Sequence, residues 1–282
     1  VRTLHRCTIL LAPLCLTACQ AAVLDPQGTV GVAEKTILLD SLAIMLAIVL
    51  PTIAATLGFA WWFRAGNTRA HHLPDWSHSG KLELIVWAIP LLTIMLLGGV
   101  AWVGSHLLDP ARPLASSAKP LNIQVVSLDW KFLFIYPDQG IGSVNTLVIP
   151  AGVPVHFSLT SASVMNAFFI APLGSMIYMM NGMATQLNLS ADKPGLYHGI
   201  SSHFSGDGFA DMHFDVHAVP SSDFSAWIAS VRSGAKSLTP QSYATLARQS
   251  IAVPPFTYHA VDAGLFDKIV SQDLAPGPGP TQ

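Results

Sequence analysis

Two long stretches of the chain are apolar almost throughout and carry no charge. Ser41 to Phe63 and Leu84 to Ser105 are continuous, predominantly apolar runs, and at 1.5 Å per residue each can cross about 30 Å of hydrocarbon as a helix. Trp61 and Trp62 close the first run, and Trp87 and Trp102 lie near the ends of the second, where indoles favour the headgroup interface. Pro51 and Pro90 fall inside the runs, and in a membrane bundle neighbouring helices can take up the carbonyls that a proline frees. The pattern predicts transmembrane helices over 41–63 and 84–105, a connecting loop at 64–83 and an outer segment at 19–40. From about residue 119 to 219 the period changes to two. Val153, Val155, Phe157 and Leu159 share one face against His156, Ser158 and Thr160, and Met212, Phe214, Val216 and Ala218 share one against His213, Asp215 and His217. Short alternating runs broken by Pro, Gly and Asn predict an antiparallel β-sandwich or barrel of roughly eight or nine strands. Beyond it, Phe224, Trp227, Ile228 and Val231 recur at helical spacing. The pattern predicts a helical extension over 220–274, with a second short helix near 240–250, and a disordered Pro- and Gly-rich tail at 275–282.

Composition supports the membrane reading. The 282 residues are 51% hydrophobic and 11% charged, against about 25% charged for a soluble domain. A net charge of -2 supplies no basic surface of the kind that neutralises phosphates, so nucleic-acid partners are excluded. Cys7, Cys15 and Cys19 are the only cysteines, so the sandwich can hold neither a disulfide nor a thiolate metal site.

Those cysteines sit in a short leader. Arg2, His5 and Arg6 precede an apolar run from Cys7 to Leu16 that is too short to span a bilayer, which is the layout of a signal peptide over 1–18. It ends in Leu16-Thr17-Ala18-Cys19, similar to a bacterial lipobox, which makes Cys19 the expected lipidation site and mature N-terminus. Charges flanking the spans are balanced: Arg64, Arg69 and Lys81 between them, Lys35, Arg112 and Lys119 outside. The lipobox sets the orientation instead, since its processing occurs at the outer face. Cys19 and everything beyond 105 then face outward, with 64–83 cytoplasmic.

Five motifs are more specific: Trp76-Ser77-His78-Ser79-Gly80-Lys81-Leu82-Glu83, Ser127-Leu128-Asp129-Trp130-Lys131-Phe132, Phe134-Ile135-Tyr136-Pro137, Val164-Met165-Asn166-Ala167-Phe168-Phe169-Ile170, and Phe204-Ser205-Gly206-Asp207-Gly208-Phe209. With two spans followed by a β-sandwich, they resemble subunit II of the haem-copper oxidases, in its quinol-oxidase branch. The resemblance implies two transmembrane helices, an all-β cupredoxin-like sandwich and a short C-terminal helical extension. In the cytochrome c oxidase branch that sandwich holds a dinuclear copper through two bridging cysteines, two histidines, a methionine and a glutamate carbonyl. Laid on this chain, the cysteine positions are Ser201 and Ser205, the glutamate is His203, the loop histidine is Phe209 and the upstream histidine is Asn166. Met212 alone persists. A serine hydroxyl is hard and stays protonated near neutral pH, so it cannot replace a soft bridging thiolate.

The resemblance therefore implies a subunit with no cofactor of its own. Haems and a copper are expected in a large partner, subunit I, alongside further membrane subunits. Ubiquinol would deliver electrons within the bilayer, in place of cytochrome c. The complex would reduce oxygen to water and translocate protons in the bacterial inner membrane, with the N-terminus and C-terminal domain of this chain in the periplasm. Glu83 matches a family glutamate at the mouth of a proton path, where a carboxylate can collect protons for the large subunit; a helix-dipole role is the alternative. A non-enzymatic membrane lipoprotein with a cupredoxin-like binding or assembly module is the other functional reading, distinguished by whether the chain associates stably with a haem-bearing subunit. His198, His203, His213 and His217 read as surface histidines, and Met176, Met179, Met180 and Met183 as core filler.

Overall fold

The computed structural model describes residues 22–71 and 73–279. The leader and Cys19 lie outside the described residues. The described residues form two compact units: 22–32 together with 110–279, and Ala33–Asp109.

Ala33–Asp109 contains most of α1 (Thr29–Trp62) and all of α2 (Gly80–Leu107). The most apolar window of each helix contains no buried residue, as suits a surface that meets lipid. Thr52, Thr56 and Thr93 turn their hydroxyls back to carbonyls one turn earlier, at 2.7–2.8 Å, which removes a polar group from that surface. At the end of α1, Arg64 donates to Trp61 O at 2.9 Å and Asn67 to Trp62 O at 2.6 Å, satisfying carbonyls that a helix end otherwise leaves open.

Both helices begin earlier than the charge-free runs suggest. α1 starts at Thr29 rather than at 41, so most of the expected outer segment is helical. Glu34, Lys35 and Asp40 end the apolar run, yet nothing in them interrupts helical hydrogen bonding. α2 starts at Gly80, so Lys81, Leu82 and Glu83 belong to the helix and not to the loop.

The other unit is a sandwich of β1 (Leu121–Leu128), β2 (Lys131–Tyr136), β3 (Ile141–Val144), β4 (Thr146–Pro150), β5 (Val155–Ser161), β6 (Asn166–Ile170), β7 (Gly174–Met179), β8 (Thr185–Leu189), β9 (Gly195–Ser201) and β10 (His213–Val219). The strand count exceeds the expected one because Asn145, in the left-handed region at φ 53°, divides β3 from β4. Its side chain holds the break: Oδ1 accepts from Phe132 N at 2.9 Å and Nδ2 donates to Val253 O at 2.8 Å. The sheets run β3-β2-β1-β5-β8 and β4-β10-β9-β6-β7. β1 pairs in parallel with β5, and β10 with β4, while the remaining neighbours in these two sheets are antiparallel.

The inner faces meet at Phe132, Phe134, Phe168 and Phe214, each essentially inaccessible. Phe168 and Phe214 stack at 5.2 Å, and Phe132 meets Phe214 edge-on at 4.8 Å. Gly199 on β9 makes room for this cluster, because a Cβ there would lie 2.0 Å from Phe214 Cζ. Gly199→Ala is expected to destabilise the domain by about 3 kcal/mol, the upper part of the usual range for overpacking a core. Thermal unfolding of the detergent-solubilised chain would register this as a lowered midpoint.

The C-terminal extension is mixed rather than purely helical. It comprises α3 (Ser221–Arg232), β11 (Ser237–Leu238), α4 (Pro240–Leu246), β12 (Phe256–Tyr258), β13 (Ala260–Val261) and α5 (Leu265–Val270). β12 adds to the edge of the larger sheet by pairing with β3, and β11 pairs with β13. Strands this short carry too little periodicity to be read from sequence. The tail, expected to be disordered, is laid down as far as Gly279: Gly277 N donates to Ala162 O at 2.8 Å, and Gln249 Nε2 donates to Gly279 O. Pro and Gly preclude a regular element there without precluding single backbone bonds.

At the other end, residues 27–31 dock on the same sandwich. Gln27 N donates to Pro172 O at 2.6 Å, Gly31 N to Leu173 O at 3.0 Å and Asp192 N to Gln27 O at 2.8 Å. Val30 enters the core. Gly28 permits the approach, since a Cβ there would lie 2.3 Å from Ser190 O.

Candidate functional site

The β1–β2 hairpin positions the site. Leu128 pairs with Lys131, leaving Asp129 and Trp130 as a two-residue turn, and Trp130 takes a left-handed backbone at φ 64°. Such a conformation is uncommon for a bulky side chain and persists only where contacts hold it. Here they do: Trp130 is 6% exposed, and its Nε1 donates to Ser205 O at 3.1 Å. Gly208 lies flat against the indole, with an added Cβ only 2.4 Å from Trp130 Cδ2. The indole thus clamps the 201–212 loop to the sandwich.

Beneath it the residues aligned with copper ligands come together. Asn166 starts β6, Ser201 ends β9, Ser205 lies in the loop, and Met212 precedes β10; all four are buried. Ser201 Oγ donates towards Asn166 Oδ1 (3.2 Å) and His203 O (3.3 Å), Asn166 Nδ2 towards Ser127 Oγ (3.3 Å), and Ser205 Oγ towards Met212 Sδ (3.9 Å). Long bonds of this kind are individually weak, but they satisfy polar groups that would be costly to bury alone. Phe209 is half-buried in a single 3₁₀ turn, Phe209–Asp211, with its ring 5.5 Å from that of Phe204. The donor set does not fit copper, because it offers hydroxyls, an amide, a phenyl ring and one thioether in place of thiolates and imidazoles.

In the helical unit, Glu83 occupies the first turn of α2, with its N–H donating to Ser79 O at 3.0 Å. Its carboxylate is exposed and lies 3.4 Å from His78 Nδ1. An acid in a first turn also complements the helix dipole.

Residues 138–219 match the family model described as "Cytochrome C oxidase subunit II, periplasmic domain", and residues 232–276 match that described as "COX Aromatic Rich Motif". The chain is 46% identical over 263 residues to cytochrome bo(3) ubiquinol oxidase subunit 2 of Pseudomonas aeruginosa, covering 93% of this chain and 80% of that protein. It is 48% identical to ubiquinol oxidase subunit 2 of Acetobacter aceti over 93% of this chain and 86% of that one. The chain belongs to the ubiquinol oxidase subunit 2 family. It is therefore part of a terminal oxidase, an oxidoreductase of the respiratory chain, and the assembly-module reading is not favoured. A solved periplasmic domain of cytochrome oxidase subunit II from Bradyrhizobium japonicum is 24% identical, with a TM-score of 0.39, over 42% of this chain and 96% of that one.

Among the described residues of this oxidase subunit, no three His, Cys, Asp or Glu side chains converge on a point that could hold a metal ion. His213 and His217 project outward from β10, and His198 faces Asp215 across the strand pair, with Nδ1 3.0 Å from Oδ1. His203 lies edge-on to Tyr178. The methionines do not form one core group: Met179 is buried, but Met176 and Met183 are 39% and 44% exposed. Both lie on the outward side of this unit, so gap filling does not account for them, and only Met179 and the half-buried Met180 are left to it.

Lys131 carries no signal of its own in the sequence, where it is only the third residue of Asp-Trp-Lys. It is 1% exposed, and its ammonium donates to Asp129 O at 3.2 Å, Arg248 O at 2.8 Å and Ser250 Oγ at 2.7 Å. Burial pushes its pKa down from 10.5 to about 8, with Asp129 opposing the shift. Between those values the folded chain binds fewer protons than the unfolded one, so this residue makes stability rise with pH. Below about 8 the lysine is charged in both states and the cost of burying the charge is carried in full. Relative to Lys131→Met, the native chain should gain in unfolding midpoint as pH is raised from about 8 towards 10.5. Parallel thermal melts of the two proteins across that interval check the sign.

Proposed function

We propose that this chain is the copper-free, structural subunit of a membrane complex that takes electrons from ubiquinol inside the bilayer. The observation that carries the reading is the set Asn166, Ser201, Ser205 and Met212, whose side chains bond to one another or to neighbouring groups. A subunit that receives electrons from a water-soluble cytochrome needs a redox centre facing water, and this loop offers a single thioether in place of a ligand set for one. Electrons then enter the large partner from the membrane phase, and haems and a copper reside in that partner, subunit I, with further membrane subunits around it. No electron is routed through the sandwich.

In this proposal α1 and α2 span the inner membrane, with the sandwich in the periplasm and the α1–α2 connection in the cytoplasm. Cys19 carries the lipid. Glu83, at the cytoplasmic end of α2, collects protons for the large subunit, and its exposure and helix-end position suit that work. The test is donor choice together with metal content. Oxygen uptake by the purified complex should follow added ubiquinol and be absent with reduced cytochrome c, and this subunit, separated from its partners, should contain no copper. Uptake driven by reduced cytochrome c, or stoichiometric copper in the isolated subunit, would overturn the proposal.

A further inference from the structure

The segment matched by the aromatic-rich motif closes over the sandwich and leaves a cavity of about 500 Å³ that the oxidase reading does not use. Its floor is Lys131, Leu246 and Tyr258, and its rim carries Lys236, Ser250 and Phe256. No Asp or Glu lines it. Two lysines and several apolar side chains therefore share its lining, and the carboxylate that offsets Lys131, Asp129, lies outside that lining; charge and apolar surface together suit an anionic head on an apolar body.

Two polar groups are set to receive a ligand. Lys236 lies on the rim with its ammonium 4.5 Å from the centre of the Phe256 ring, which fixes a flexible side chain above the opening. Ser250 Oγ accepts from the Lys131 ammonium at 2.7 Å, so the hydroxyl's own hydrogen is directed elsewhere, and a serine bonded to a cation is a stronger donor. The positive charge of the buried lysine thereby reaches the cavity through Ser250. The apolar lining, Leu246, Val253 and Tyr258, is contributed by the same C-terminal segment.

We propose that this cavity binds a small organic anion, a phosphate or carboxylate group on an apolar body, with the anionic head between Lys236 and the Ser250 hydroxyl and the body against Leu246, Val253 and Tyr258. The site gives the aromatic-rich segment a recognition role separate from electron and proton transfer. Neither the ubiquinol reading nor its failure bears on it.

Phenyl phosphate is the probe, titrated calorimetrically into the detergent-solubilised full chain, with inorganic phosphate and benzyl alcohol as the head and the body alone. Phenyl phosphate should saturate a single site, and each half-probe should bind at least about tenfold more weakly. Lys236→Met and Ser250→Ala should each weaken phenyl phosphate about tenfold, the loss expected when a hydrogen bond to a charged group is removed. Lys236 is exposed, so its replacement leaves the fold intact, and Lys193→Met, away from the cavity, should change nothing. The proposal is overturned by the absence of saturable binding, by inorganic phosphate binding as tightly as phenyl phosphate, or by unchanged affinity in both Lys236→Met and Ser250→Ala.

Discussion

Replacing Asn166 with His, Ser201 and Ser205 with Cys, His203 with Glu and Phe209 with His, in one chain that keeps Met212, is expected to create a copper site that the native residues do not provide. Asn166 and Ser201 already lie within 3.2 Å through their side-chain atoms, and Ser205 and Met212 within 3.9 Å. These four positions are at most 7% exposed, so new ligands would be drawn together in a dry site. Ser→Cys adds little volume, and two thiolates can share charge with two soft cations in a way no pair of hydroxyls can. The clamp from Trp130 to Ser205 O uses the loop backbone, and so survives a change of side chain. Phe209 is the demanding position, since its ring must leave Phe204 and be replaced by an imidazole turned inward. Metal analysis after copper loading should give stoichiometric binding with intense visible absorption, and a variant retaining Ser201 should lose it. A quintuple variant that keeps the native melting temperature and still takes up no copper would show that the loop does not converge on a metal.

The second large effect concerns turnover. Glu83→Gln is expected to slow ubiquinol-driven oxygen reduction about tenfold, short of the ~10² or more that follows loss of an acid or base acting in the chemistry itself. In the proposed role the residue stands at an entrance where water can still deliver protons, which limits the loss. Because the amide is close in shape to the acid, the first-turn bond from Glu83 N to Ser79 O persists, and subunit association and haem content should be unchanged. Glu83→Asp should restore most of the rate. Oxygen electrode traces on complexes matched for haem would decide it, and native turnover in Glu83→Gln would leave the residue with only a helix-dipole role.

Sequence patterns revealed the sandwich well where one face is buried and the other wet. In β5 and β10 the alternation of Phe157 with Ser158, or of Val216 with His217, is the pleat itself. The spans were legible for a related reason, since the bilayer demands an uninterrupted apolar run. Their helical limits were not, because hydrocarbon thickness bounds the apolar run and hydrogen bonding bounds the helix, and the two part company at Thr29 and Gly80. The aligned copper positions were legible because a resemblance supplied their spacing. The hydrogen bonds among them, and the Trp130 clamp, depend on a left-handed turn that the letters Asp-Trp do not announce. Lys131 escaped for the plainest reason: its partners, Arg248 O and Ser250 Oγ, are supplied by a segment far along the chain.

The docking of residues 27–31 has a topological consequence. These residues complete the sandwich core through Val30 and supply donors to Pro172 O and Leu173 O, yet the rest of α1 and all of α2 separate them in sequence from β1. The folded domain is thus interrupted, with the hairpin as an insertion inside it, and the bonds that seal it are long loop closures formed late in synthesis. A soluble piece cut at Pro110 would contain every strand and still be incomplete, with a void in place of Val30 and two carbonyls deprived of their donors.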